Sequence, residues 1–165
     1  MASVGSLTTT KLMGILVGSG GIPDTVAAFA AQQNLSLPVI TSQQIVAQNV
    51  PPEIAERSTV TKYPAVYVYC SKIANLQREK FRTFSGDVNM VIESRVSQDR
   101  LDSLEGNSQF YVDTLTTVLD SNRGDWGDGV CYSGGYEVSF GGVKQGGLNF
   151  IQISKVSFVL DVSAD

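Results

Sequence analysis

Residues 87–96 alternate strictly enough to limit what this chain can become: Val88, Met90, Ile92 and Val96 fall on one side, and Asp87, Asn89, Glu93 and Arg95 on the other. Successive side chains of a strand point to opposite faces, so this segment is a strand whose sheet has one dry face and one face that is wet or covered by a partner. The run Pro64 to Cys70 alternates Val66, Val68 and Cys70 against Tyr67 and Tyr69, in β-branched and aromatic residues that suit a pleated surface. In the last third, Val130, Tyr132, Tyr136, Val138 and Phe140 share one parity. The final strand carries Ile151 and Ile153 on odd positions, then Val156, Phe158, Leu160 and Val162 on even ones. One extra residue swaps the faces of a strand, so this change of parity predicts a β-bulge near Ser154 and Lys155.

A dry face needs a cover, and helical periodicity supplies one. Ser97 is placed to cap a helix with Asp99 in its first turn. Leu101, Leu104, Ser108, Tyr111, Leu115 and Val118 then recur at three-four spacing, and Asn122-Arg123-Gly124 provides a stop. Residues 23–33 read as a shorter helix with Pro23 in the first turn and Asp24 near the positive end of the dipole. Ser6 to Val17 forms a weaker helical pattern interrupted by Gly14, and residues 53–57 a single turn after Pro51-Pro52. The expectation is an α+β fold: a mainly antiparallel sheet with a long helix, and an N-terminal helical segment, packed on one face. At 165 residues this is one domain, with 1–62 as a helical and looped lead-in and 63–163 as the core.

Charge and reactive residues narrow the function. The net charge of −4 argues against a wrapped nucleic-acid ligand, which wants a basic stripe. Charged residues make up 17% of the chain, a value met by chance or by a surface that neighbouring subunits cover. No basic start followed by an apolar stretch marks a secretory signal, and no stretch approaches a membrane span, so a cytoplasmic site of synthesis is expected. Cys70 and Cys131 read as buried free thiols.

With no histidine there is no Ser-His or Cys-His pair and no imidazole metal ligand. Asp125 and Asp128 flank Trp126 in a glycine loop, without the further ligands of a calcium loop; a turn function is the expectation. Gly18-Ser19-Gly20-Gly21 and Gly134-Gly135 lack the Lys-Ser/Thr of a phosphate-binding loop, and a bulge or close backbone approach is expected at the second pair. Glu93 and Arg95 are placed to pair across to Glu137 or Lys155 as a surface or interface bridge of modest worth. No catalytic residue, cofactor or metal site is assigned.

The excursion from Ser71 to Gly86 stands out, because long connections in compact domains are more often functional or disordered than idle. It carries Lys72, Arg78, Lys80, Phe81, Arg82 and Phe84. Two readings stand: a solvated loop tucked down by its phenylalanines, or an arm that docks on an adjacent subunit. Trp126, the lone tryptophan, either covers the end of the core or anchors a neighbour.

Tyr63-Pro64-Ala65-Val66-Tyr67-Val68-Tyr69, Phe81-Arg82-Thr83-Phe84-Ser85-Gly86, a helix with Tyr111-Val112-Asp113, and Trp126 before Tyr132-Ser133-Gly134-Gly135-Tyr136 form a pattern over roughly 63–162. Gly146-Gly147 with Asn149-Phe150 and the Val156-Ser157-Phe158 strand continue it. The pattern resembles the tail-completion or tail-terminator proteins of tailed bacteriophages. The resemblance implies a small α+β subunit that forms a ring, usually a hexamer, on the head-proximal end of the tail tube and meets the neck or connector protein there. It implies a virion component with no turnover and no cofactor, through whose lumen DNA passes without specific binding and which engages no membrane. Another neck, head-completion or tube protein of the same virion is the alternative; a small-ligand-binding or enzymatic α+β domain is a third.

Overall fold

The computed structural model describes residues 3–58, 62–146 and 149–165. Two helices lead, α1 (Val4–Val17) and α2 (Ile22–Gln33), followed by β1 (Ile45–Val46), the short α3 (Pro52–Ser58) and two long strands, β2 (Ala65–Asn75) and β3 (Phe84–Gln98). After them come α4 (Leu104–Ser121), the short strands β4 (Gly124–Gly127), β5 (Val130–Tyr132), β6 (Glu137–Phe140) and β7 (Lys144–Gly146), and the long closing strand β8 (Asn149–Ala164). The fold is α+β, with one sheet ordered β1-β2-β3-β8-β5-β4. Its pairs are antiparallel except β1 with β2, so the sheet is mixed at that edge.

β3 and β8 form the spine, in unbroken register from Phe84↔Ala164 to Gln98↔Phe150. The expected bulge at Ser154 and Lys155 is therefore absent. The parity of β8 never changes; its even face simply turns polar at Gln152 and Ser154, both buried. Ser154 Oγ meets Ser108 Oγ of α4 at 2.7 Å, so a hydrogen bond replaces apolar contact there. Ile151 and Ile153 sit on the opposite face, where another part of the chain lies beside them.

The dry face is as the alternation requires. Val68, Val88, Met90, Ile92, Val156 and Leu160 are fully buried and paired across strands, as at Val68↔Ile92↔Val156. The stripe Leu104, Ser108, Tyr111, Leu115 and Val118 of α4 is buried against it. The helix starts later than expected, however. Ser97 still belongs to β3, and Leu101 is 58% exposed in the turn before Ser103, so neither takes part in the helix. In α1 the buried residues fall every fourth position, Val4, Thr8, Leu12 and Leu16; Thr8 is tolerated there because its Oγ1 donates to Val4 O at 3.0 Å. The lead-in is thus part of the main core. By length and mean hydropathy (1.4) the stretch Val4–Gln33 would suffice to cross a membrane, contrary to the expectation that no stretch approaches a span. Here the chain turns at Gly18 to Gly21, and Leu12, Leu16, Ile22 and Val26 lie in the core of the fold.

The other face is not uniformly wet. Ala55, Ala65 and Tyr67 form a second small cluster, with Val46, Val50 and Tyr63 packed on it. This cover buries Glu93 (5% exposed) and Arg95 (2% exposed), which the sequence had placed on a solvated or partner-covered face.

Tyr111 ties α4 to the loop after α2: it is 2% exposed and its hydroxyl donates to Pro38 O at 2.8 Å. Burial pushes its phenol up to about 12 from the ordinary 10.0. A folded-state value above the unfolded one favours the fold below pH 10, and that advantage is lost as pH rises from 10 towards 12. We expect unfolding free energy to fall by roughly 1.4 kcal/mol per pH unit across that window on account of Tyr111. Urea titrations at stepped pH, on the native chain and on Tyr111→Phe, would show a shallower fall in the variant. Equal slopes would mean that the hydroxyl is not buried as described.

Candidate functional site

The excursion between the first two long strands is itself mostly strand. β2 and β3 stay paired out to Asn75↔Gly86, leaving only residues 76–83 as the connection. Asn75 organises that tip: its Oδ1 accepts from the backbone N–H groups of Gln77 and Ser85, both at 3.2 Å, and its Nδ2 donates to Thr83 O at 3.1 Å. Gln77 takes a positive φ of 49° to complete the turn.

Two arginines fold this tip down onto the ends of β3 and β8. Arg78 bridges Asp87 (3.0 Å) and Asp161 (2.8 Å); Arg82 holds Asp165 at 2.6 Å and approaches Glu79 at 3.6 Å. Glu79 in turn accepts from Ser163 Oγ at 3.0 Å. These pairs are exposed and individually worth little, but together they fix the direction of the tip. Of the residues singled out from sequence, Lys72 and Lys80 are exposed, and Phe81 is 96% exposed. Phe84 is 6% exposed and belongs to the core, so only one of the two phenylalanines is available to a partner. Ile73 in β2 and Leu76 at the start of the tip are each about half exposed.

Trp126 lies in β4. Its Nε1–H donates to Asn122 O at 2.7 Å, and its ring packs against Tyr132 and Phe158 with centroids 5.7 and 6.4 Å away. It is half-buried and closes the end of the core. Asp125 accepts from the Gly127 N–H at 2.7 Å, the Asx turn expected of it, and Asp128 pairs with Lys11 at 2.6 Å. No group of three or more His, Cys, Asp or Glu able to hold a metal occurs among the described residues. Cys70 and Cys131 are free, but neither is buried: Cys70 is half-buried and Cys131 exposed. The apolar-strand reading failed for Cys131 because its side chain lies on the outer face of β5, between buried Val130 and Tyr132.

The shared parity of Val130 to Phe140 implies one strand, with the bulge or close approach at Gly134-Gly135 inside it. The glycines instead separate two strands, both with positive φ (99° and 88°), and the register against β8 slips from Cys131↔Asp161 to Glu137↔Ser157. β5, β6 and β7 therefore lie in series along one side of β8, with β3 along the whole of the other.

That arrangement leaves two open edges on opposite sides of the sheet. β1 pairs β2 only at Val66 and Tyr67, so the outer side of β2 from Val68 to Asn75 has no strand beside it among the described residues. β6 pairs β8 alone among the described residues, and its outer side is likewise open, with Phe140 48% exposed. The β2 edge carries two of the usual guards against indiscriminate pairing: Ser71, which bulges out of the ladder between Cys70 and Lys72, and the exposed Lys72 itself. The open edges could not be placed from sequence, because they depend on which strands pair.

Compared with known proteins, the chain matches no family model and no curated protein.

Proposed function

We propose that the chain is a structural virion protein that caps the head-proximal end of a phage tail tube as an oligomeric ring, a hexamer by its resemblance, and joins that tube to the neck. The observation that carries this reading is the pair of unlike open edges, β2 and β6, on opposite sides of one sheet. An edge of one copy laid against the other edge of the next is a heterologous contact, and such contacts close into rings when the rotation per subunit allows. The tip bearing Phe81 is the arm that meets the neighbouring copy or the tube. The net charge of −4 suits a lumen that DNA traverses without adhering.

The assay is capping of purified tail tubes. Added protein is expected to stop tube growth and to appear as a ring at one end in electron micrographs. Phe81→Ser separates assembly from folding, since a side chain 96% exposed contributes almost nothing to the monomer. Its thermal stability should stay within about 0.5 kcal/mol of the native chain. Assembly should weaken markedly, because exposed aromatics are favoured anchors of interfaces. Unaltered capping by the Phe81→Ser chain would remove the arm from the account.

A further inference from the structure

A cleft of about 510 Å³ lies on the face of the sheet away from α4, between Val50 and Pro51 on one side and Phe140, Gly141 and Lys144 on the other. Arg95 forms part of its wall and is 2% exposed. The guanidinium is held on three sides: Nε donates to Glu93 Oε1 at 2.8 Å, Nη2 donates to Val50 O, and the carbon lies 3.9 Å from the centre of the Tyr67 ring. Its Nη1, although buried, has no hydrogen-bond partner among the described residues. A buried charged donor left unsatisfied is costly enough that native structures rarely keep one without a use.

The charge around it is lopsided. Glu93 is already engaged by Arg95, by the Tyr69 hydroxyl at 3.2 Å and by Lys155 at 3.8 Å. Lys144 at the mouth is exposed and has no ion pair among the described residues. Arg95, Lys144 and Lys155 line the cleft with one acid, Glu93; the adjoining cleft brings Glu53 and Glu56 beside Lys144 but also Arg57, so cations still outnumber acids here, in a protein whose overall charge is −4. Nη1 has almost no accessible surface in this arrangement, so an anion with oxygen acceptors reaches it once the guanidinium turns toward the cleft; the planar fork of arginine is matched to a carboxylate. One wall is β6, a strand paired on one side only, beside which an extended chain can lie.

We infer that this cleft binds a carboxylate side chain presented by an extended polypeptide segment, with Arg95 as the buried partner of the charge and Lys144 and Lys155 at its mouth. The inference does not depend on tube capping and can stand if that reading fails.

Fluorescence anisotropy with the full chain tests it, using a dye-labelled alanine heptapeptide with one central Asp, its Asn counterpart, and succinate as competitor. The Asp peptide should bind saturably and the Asn peptide about tenfold more weakly or less. Lys144→Gln with Lys155→Gln should weaken the Asp peptide roughly threefold to tenfold with unchanged circular dichroism. Arg95→Lys should weaken it further, and the surface lysine pair keeps the test valid if that variant does not fold. Equal binding of the Asp and Asn peptides, absence of saturation, or native affinity in the double lysine variant would each overturn the site. Succinate binding as tightly as the Asp peptide would overturn the polypeptide occupant.

Discussion

Replacing Glu93 by Gln is expected to lower the free energy of unfolding by about 3–5 kcal/mol, the usual result of stripping a buried ion of its counter-charge. Glu93 and Arg95 lie two residues apart on one strand, both within 7% of full burial at the side chain, with Nε and Oε1 2.8 Å apart. Burying two charges is expensive, and the attraction between them offsets that expense only while both are present. In the Glu93→Gln variant the guanidinium keeps a carbonyl and an aromatic face but no anion, since Lys155 is itself cationic. The double change Glu93→Gln with Arg95→Met should recover most of the loss, because an apolar replacement of a buried pair is often close to neutral. Chemical denaturation of the two single variants and the double one measures this cycle. A loss under about 1 kcal/mol for Glu93→Gln would place the pair at the surface, where ion pairs are worth that little.

The second large effect is at Gly129. Gly127, Asp128 and Gly129 all have positive φ (84°, 54° and 77°), so the chain between β4 and β5 turns through three left-handed residues in succession. A Cβ at Gly129 would overlap Ser163 O, while the Ser163 N–H donates to Gly129 O at 2.8 Å. Gly129→Ala thus combines a strained backbone with a clash against backbone that cannot swing away, and we expect a loss of about 3 kcal/mol or more. Gly142→Ala is the control: a Cβ there meets nothing within 4 Å, and the change should stay within about 0.5 kcal/mol. Equal thermal midpoints for the two variants would contradict the docking of this turn on the end of β8.

Local periodicity made the sheet and its helical cover legible. Val88, Met90 and Ile92 faced the core as their spacing demanded, and so did the α4 stripe from Leu104 to Val118. Where the sequence misled, a distant segment had supplied the missing partner. Ile151 and Ile153 suggested a bulge because nothing local indicated that residues 49–57 lie beside the opposite face. The polar break at Ser154 looked like a bulge because its partner, Ser108, is 46 residues away. Glu93 and Arg95 looked like surface charges for the same reason. The start of α4 was misjudged because Ser97 satisfies the pattern of a cap while the pairing Ser97↔Ile151 holds it in the sheet. For the candidate surface, composition found the tip but not its form: Arg78 and Arg82 were placed in a solvated loop or a docking arm, and no local signal showed that acids on β3, on β8 and at residue 165 bind them down. That leaves Phe81 as the most exposed apolar side chain of the tip, and the open edges follow from pairing alone.

Light scattering coupled to size exclusion, over a range of protein concentrations, bears most directly on the idea that this chain acts through contacts between its own copies. The account predicts a discrete mass of several subunits, a hexamer by the resemblance, that does not grow further with concentration because the ring has closed. A single-subunit mass persisting at the highest concentrations, or an open-ended series of masses, would contradict it.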